Sequence, residues 1–178
     1  MEDITEQISI IIFEVNKEQF AINLLEVKEI VQASQIRRLP KSFDFVEGIY
    51  NYRGEIIHIV NLKKKLNLNN TFLYKSKKIS SDDEVDQDNL SSTTNFIIIL
   101  NILDTFIGFL VDQIINVINI NRSNLVSLSP IFQTSVGIEY VKGILKLEDK
   151  PRILIDLSKV LNEDEQSTIK NELESINK

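Results

Sequence analysis

The chain contains no cysteine, a single histidine and only five glycines among its 178 residues. The absence of cysteine excludes disulfide bonds and metal sites built from thiolates. His58 has no second histidine with which it could share a metal ion, and the glycines form no loop of the kind that holds phosphate groups. The sequence therefore offers little support for catalysis that depends on a metal or a nucleotide, and no cofactor is expected.

Positive charge is also scarce. Aspartate and glutamate number 26 against 20 lysines and arginines, so the formal net charge is −6 and the pI is near 4.9. Nucleic acids and anionic membranes attract basic surfaces, which argues against both as partners. The run Lys63-Lys64-Lys65 is a local exception, and we interpret it as a solvated helix face rather than a phosphate-binding site.

No stretch is typical of a membrane span or of a signal peptide. The most apolar run, residues 96–111, is shorter than the roughly 20 residues that a spanning helix needs, and it contains Asn101, Asp104 and Gly108. Its β-branched residues and the polar break at 101–105 instead predict two buried strands joined as a hairpin. Because no charged start is followed by an apolar segment and a small-residue cleavage site, a cytoplasmic location is expected.

What the sequence does contain is an internal repeat. Residues 45–66 match residues 140–161 at a constant spacing, with Gly48 equivalent to Gly143. A duplicated unit in a chain of this length predicts two similar subdomains. The copies differ most clearly where Arg53 corresponds to Glu148, which makes that position the first place to look for function.

The earlier parts of the two copies correspond less strictly. Phe20 aligns with Phe106. After a one-residue slip two further pairs align, which are Val27 with Ile114 and Ile30 with Val117. The repeat therefore extends over most of the chain.

Alternating apolar residues predict a mostly β protein. Besides the two strands within residues 96–111, strands are expected at 8–15, 20–24, 45–52, 56–60, 114–120, 138–147 and 153–155. Residues 25–31 predict a short helical or irregular stretch. Short helices are expected at 62–66 and 157–161, because the side chains of Asn61 and Asp156 can each cap a first helical turn.

The domain organisation is predicted to be simple. We expect a single domain over residues 8–161, made of two related β subdomains. Residues 67–95 are rich in Asn, Ser, Asp and Lys and predict a polar, flexible loop between the copies. Residues 163–178 begin with acidic side chains and place Ile169, Leu173 and Ile176 at helical spacing, which predicts a C-terminal amphipathic helix.

A hydrolase-type enzyme is the less favoured interpretation. His58 falls at the position that Ile153 occupies in the second copy, so it is interpreted as a packing or edge residue rather than a general base. Glu26 and Glu29 could share one face of a helical turn, but two exposed acids without a pocket carry out no acid–base chemistry.

Short motifs occur along the chain in a specific order: Val27-Lys28-Glu29-Ile30, Leu39-Pro40, Val46-Glu47-Gly48-Ile49, Asn51-Tyr52-Arg53-Gly54, Val60-Asn61-Leu62, and Leu110-Val111-Asp112 with Ile114 and Val117. In order and spacing this set resembles the CheW family of chemotaxis coupling proteins, over roughly residues 8–161. The resemblance implies an all-β fold with short helices, in which two SH3-like five-stranded β-barrel subdomains share a hydrophobic core, plus the C-terminal helix. It also implies a non-enzymatic adaptor that joins the cytoplasmic tips of methyl-accepting chemoreceptors to the regulatory domain of the histidine kinase CheA, in the cytoplasm at membrane-associated receptor arrays.

The resemblance also implies a partner-binding site. Its members are Val27, Ile30, Ile114 and Val117 in a receptor-binding groove between the lobes, Glu29 at the edge of the groove, and Arg53 as the arginine of the Asn-x-Arg-Gly signature, which is linked to receptor and kinase coupling. Apolar residues from both lobes could accept the apolar face of a receptor helix, while an arginine fixes its register. The alternative is that the four apolar residues belong to the core and that Arg53 is a solvated turn residue.

Three features depart from the family pattern. His58 stands where proline is usual, Asn61 stands where aspartate is usual, and the segment 67–95 is longer than the usual connection. These departures leave open a role in a second chemosensory or motility system of the same cell. A fusion to a receiver domain, as in CheV proteins, is disfavoured because no segment has the length of a receiver.

Overall fold

The computed structural model describes residues 6–40, 43–68, 94–128 and 139–178. Within these residues the strands are β1 (Gln7–Val15), β2 (Glu18–Asn23), β3 (Glu29–Gln32), β4 (Val46–Tyr52), β5 (Glu55–Asn61), β6 (Phe96–Ile102), β7 (Thr105–Val111), β8 (Gln113–Asn121), β9 (Leu125–Val126), β10 (Val141–Leu145) and β11 (Arg152–Ile155). The α-helices are α1 (Leu62–Lys65) and α2 (Glu163–Ile176), and short 3₁₀ turns occupy Leu24–Glu26, Arg122–Asn124 and Leu157–Lys159. The predicted all-β class with short helices and a C-terminal helix is confirmed.

The strands form two sheets, which define two lobes. The first lobe has five strands in the order β3-β6-β7-β5-β4, and the second has six in the order β8-β1-β2-β11-β10-β9. The sixth strand, β9, contains only two residues, and its counterpart in the first lobe is a single bridge between Arg37 and Ile49. Each lobe is a small SH3-like β-barrel, as the resemblance implied.

The lobes do not coincide with the two copies of the repeat. The hairpin β1–β2 precedes the first copy's remaining strands, yet it pairs with β8 and β11 in the second lobe. The hairpin β6–β7 in turn pairs with β3 and β5 in the first lobe. The copies have therefore exchanged their hairpins, and neither copy alone contains a complete barrel.

The predicted alignment of Phe20 with Phe106, in the earlier parts of the two repeat copies, was wrong by one residue. Phe20 pairs with Ile153, and Ile107 pairs with His58. Because Ile153 and His58 are equivalent, Phe20 corresponds to Ile107 and not to Phe106, and no slip is needed farther along. Both hairpins close through two residues of positive φ, Asn16 and Lys17 in one and Leu103 and Asp104 in the other, and these turns set the register.

Most predicted elements are confirmed, but two short strands, β3 and β9, were missed. Residues 25–31 were expected to be helical or irregular, and the 3₁₀ turn at Leu24–Glu26 is followed instead by the strand β3. Both predicted caps are present: Asn61 Oδ1 accepts from the Lys64 amide at 3.1 Å, and Asp156 Oδ1 accepts from the Ser158 amide at 3.0 Å. The predicted loop 67–95 lies, except at its two ends, outside the described residues.

Three apolar clusters make up the core, and β1 contributes to two of them. Ile10 and Ile12 point into the second barrel, whereas Ile11, Phe13 and Val15 point to a cluster that both lobes share. The first barrel has its own interior, formed by Tyr52, Ile57, Ile59, Ile97 and Ile99. The shared cluster includes side chains of both sheets and of α2, which confirms the shared core.

Each lobe requires a glycine at the equivalent position, because a backbone carbonyl group lies against it. A Cβ on Gly48 would stand 2.2 Å from the carbonyl oxygen of Arg37, and one on Gly143 would stand 2.6 Å from that of Val126. Both glycines also lie at an irregularity in the strand register. A neighbouring backbone therefore approaches too closely at both positions for any residue with a Cβ.

The C-terminal helix α2 begins with a capping box. Asn162 Oδ1 accepts from the Glu165 amide at 2.8 Å, and the Glu165 carboxylate accepts from the Asn162 amide at 2.9 Å. Ile169 and Leu173 are buried in the shared core, while Ile176 remains partly exposed. Within the described residues, neither helix has the length and apolar character that a membrane span requires.

Candidate functional site

Two of the predicted site residues are in direct contact. Arg53 Nη2 lies 2.9 Å from Glu29 Oε2, and the Tyr52 hydroxyl donates to the same oxygen at 2.7 Å. Glu29 belongs to β3 and Arg53 to the turn between β4 and β5, so the contact joins two separate strands of the first lobe. We call Glu29, Tyr52 and Arg53 the polar cluster.

The turn that carries Arg53 is tightly built. Arg53 and Gly54 have φ values of 52° and 92°, the left-handed pair that a two-residue hairpin turn needs. Asn51 Oδ1 accepts from the Gly54 amide at 2.9 Å and closes the turn. Because Arg53 lies at the tip of this turn, its side chain is 72% exposed. The side chain projects outward from the turn, but it is paired with a carboxylate of its own chain.

The polar cluster keeps Glu29 ionised. The hydrogen bond from Tyr52, followed by the positive charge of Arg53, holds the pKa of the Glu29 carboxyl below its usual value. The same hydrogen bond raises the pKa of the Tyr52 phenol, and burial adds to that effect. Arg53 is therefore oriented at neutral pH by a fixed negative charge.

Replacing Tyr52 with phenylalanine removes only the hydroxyl. The ring, which packs edge-on against Phe106 with centroids 5.4 Å apart, is retained. We expect the pKa of Glu29 to rise in Tyr52→Phe, measured by an NMR titration of the side-chain carboxyl. A depressed pKa stabilises the fold at pH values above that of the unfolded glutamate, about 4.3, and this contribution is lost as the pH falls through the folded pKa. The acid-sensitive part of the stability should therefore shrink in Tyr52→Phe, with Tyr50→Phe as the unchanged control. An unaltered Glu29 titration would contradict the assignment.

The predicted groove residues lie on the edges of the two sheets. Ile30 in β3 pairs with Ile98, and Val117 in β8 pairs with Ile11. Ile98 and Ile11 both belong to the shared core, so Ile30 and Val117 lie on the faces of their sheets that meet between the lobes. The two positions are equivalent in the repeat.

Burial distinguishes these residues from one another. Val27, Ile30 and Ile114 are half-buried and pack against the shared core. Val117 is 54% exposed, so the alternative that all four are core residues is wrong for Val117. We call these four residues the apolar rim. Glu29 precedes Ile30 in β3, but it pairs with Ile99 of the first barrel's interior, so its side chain and the polar cluster lie on the opposite face of that sheet from Ile30.

An ion pair near the apolar rim was not anticipated. The Glu26 carboxylate contacts Lys142 Nζ, which also lies 3.7 Å from Asp156 Oδ2. Glu26 immediately precedes Val27, so this pair ties the turn before β3 to β10. Glu26 and Glu29 consequently have different partners and do not act as a pair.

His58 is a packing residue within the sheet. Its side chain is fully buried in β5, which runs between β4 and β7, so the edge interpretation is wrong and the packing interpretation is confirmed. Burial lowers the pKa of the imidazole, and its Nε2 lies 3.0 Å from Glu172 Oε2 of α2. Because His58 is internal, its difference from the usual proline affects packing between β5 and α2. Groups of acidic, histidine or cysteine side chains that could hold a metal are absent from the described part of the chain.

Comparison with known proteins identifies the family. The profile of the CheW-like domain matches residues 9–165. The chain belongs to the CheW-like domain family. Among curated relatives of the CheW-like domain, the chemotaxis protein CheW of Treponema pallidum is 31% identical over 166 residues, which cover 93% of this chain and 89% of the relative. The chemotaxis protein CheW of Thermotoga maritima is 28% identical over 165 residues, covering 92% and 93% of the two chains.

A solved CheW structure has the same fold. The crystal structure of the scaffolding protein TtCheW from Thermoanaerobacter tengcongensis superposes with a TM-score of 0.66 and 26% identity, covering 90% of this chain and 96% of that one. These relatives are described as chemotaxis proteins and as a scaffolding protein. The chain is accordingly a chemotaxis coupling protein of the CheW type, and the enzyme alternative is not favoured.

Proposed function

We propose that this CheW-type chain joins the cytoplasmic tips of methyl-accepting chemotaxis proteins to the regulatory domain of the histidine kinase CheA. It acts in the cytoplasm and is recruited to membrane-associated receptor arrays. The observation that carries the proposal is the apolar rim, to which edge strands of both lobes contribute, together with an arginine that is held against Glu29 of the edge strand β3.

The apolar rim suits a helical partner. Receptor tips are helical, and a helix docks by laying an apolar face along a groove. Val27, Ile30 and Ile114 supply half-buried contacts that are already supported by the shared core, and Val117 supplies exposed apolar area. Preorganised contacts of this kind lose little conformational freedom on binding, which favours affinity.

Arg53 suits a charged partner surface. Its guanidinium can make two parallel hydrogen bonds to a carboxylate, a geometry that lysine does not reproduce. In the free chain it is held by Glu29, so a partner carboxylate would share or replace that contact. We assign Arg53 to the coupling of the kinase, and its contact with Glu29 links it to β3, the strand that also carries Ile30 of the apolar rim.

Titration of the purified chain with a receptor-tip fragment tests the receptor half of the proposal. We expect saturable binding that Val117→Glu weakens at least about tenfold, because a charge would have to be buried against an apolar helix. Val126→Glu is the matched control, since Val126 is an exposed valine of the second lobe outside the apolar rim. Equal binding by the Val117 variant and the unaltered chain would contradict the assignment.

A further inference from the structure

The C-terminal helix holds the backbone of β5 close to the turn that carries Arg53. The Ile56 amide donates to Asn177 Oδ1 at 3.0 Å, and Asn177 Nδ2 donates to the Ile56 carbonyl at 3.1 Å. Asn177 follows α2 directly and caps its end, where its own amide donates to the Leu173 carbonyl at 2.9 Å. One side-chain amide thus satisfies both polar groups of one strand residue.

The position of Ile56 explains why a side chain can take this role. Ile56 is opposite Asn51 of β4, and the single pair Tyr52–Glu55 separates these residues from the turn. The pairing of β5 with β7 begins only at His58, so β7 does not reach Ile56. Since the amide and carbonyl of a strand residue point to the same side, those of Ile56 face away from β4. The Asn177 amide replaces the missing strand there.

The helix that provides Asn177 is itself fixed. Ile169 and Leu173 are buried in the shared core, and Glu172 contacts the buried His58 at 3.0 Å. At its other end, Glu165 pairs with Lys65 of α1 at 2.6 Å. The helix is therefore anchored at its start, along its length and at its end, and it can transmit that rigidity to β5.

We propose that Asn177 is a positioning residue for Arg53. Its two hydrogen bonds to Ile56 restrain the start of β5 and therefore the short hairpin turn before it. The conformation of that turn sets the direction of the Arg53 guanidinium beside Glu29. This inference rests on the proposed function of Arg53 in kinase binding. It assigns to the C-terminal helix a role in partner recognition in addition to its packing against the shared core.

A double-mutant cycle tests the inference, with affinity for an isolated CheA regulatory domain as the readout. We expect Asn177→Ala to weaken binding about tenfold in the unaltered background and to have no further effect in an Arg53→Ala background. The matched control is Asn171→Ala, the same substitution on the exposed side of the same helix. Equal losses in the two backgrounds would overturn the inference, because Asn177 would then act independently of Arg53.

A second measurement separates positioning from simple destabilisation. NMR relaxation of the Arg53 Nε–H group in the free chain should show a more mobile guanidinium in Asn177→Ala but not in Asn171→Ala. An unchanged Arg53 signal would overturn the inference even if the melting temperature fell. If Arg53→Ala itself leaves kinase affinity unchanged, the proposed site fails and the inference fails with it. If Arg53→Ala weakens binding and Asn177→Ala does not, only the inference fails.

Discussion

Arg53→Glu is expected to lower affinity for the CheA regulatory domain at least about 100-fold, since a charge reversal replaces an attraction with a repulsion at a central contact. The fold should remain intact because the Arg53 side chain is 72% exposed and contacts the first barrel from outside, with its guanidinium 5.5 Å from the centroid of the Tyr52 ring. The variant also places a second carboxylate beside Glu29, so the polar cluster itself should open. Calorimetric titration measures the affinity, and thermal unfolding checks the fold.

The matched control for this prediction is Arg122→Glu. Arg122 is similarly exposed, at 65%, and is likewise paired with a glutamate of its own chain, Glu6, at 2.7 Å. It lies in the second lobe, away from the polar cluster. Undiminished kinase binding by the Arg53 variant would contradict the assigned site. An equal loss in both variants would indicate a general effect of net charge instead.

Gly48→Ala should destabilise the fold by about 3 kcal/mol or more, at the upper end of single-residue effects. The new Cβ would stand 2.2 Å from the Arg37 carbonyl oxygen and 2.7 Å from its carbon. Those atoms belong to a backbone segment that is bridged to Ile49 by hydrogen bonds in both directions, at 2.8 and 2.9 Å. The segment cannot retreat without breaking the bridge. Urea unfolding measures the loss.

Gly54→Ala is the matched control for Gly48→Ala. A Cβ on Gly54 would meet no heavy atom within 4 Å, so only its φ of 92° opposes the substitution. We expect a cost of about 1 kcal/mol, the usual penalty for a non-glycine residue in a left-handed conformation. Equal losses at the two positions would show that backbone conformation, rather than the close approach at Gly48, is decisive.

Much of the fold could be predicted because its signals are local. Alternating apolar residues identified the hairpins, and Asn61 and Asp156 were recognised as caps from residue type alone. β3 was missed because it has only four residues and lies at a sheet edge, where none of its residues is fully buried and no strong alternation results. The exchange of hairpins between the copies could not be read from the repeat, since similar copies offer similar surfaces to one another.

The candidate site was predicted in part. The motifs contain Glu29 and Arg53, but nothing in their spacing indicates that the two side chains touch, because that contact depends on how the first barrel closes. Tyr52 was overlooked since its ring is buried and only its hydroxyl takes part. The tie between Asn177 and Ile56 has no periodic signal either, because it joins the chain's last helix to a distant strand.

The coupling role is tested most directly by asking whether this chain can bridge its two proposed partners. A receptor-tip fragment would be immobilised, and retention of the CheA regulatory domain would be measured with and without the chain. The kinase domain should be retained only when the chain is present, and Arg53→Glu or Val117→Glu should abolish that retention. Retention of the kinase domain without the chain, or a chain that binds either partner but never both together, would contradict the coupling role.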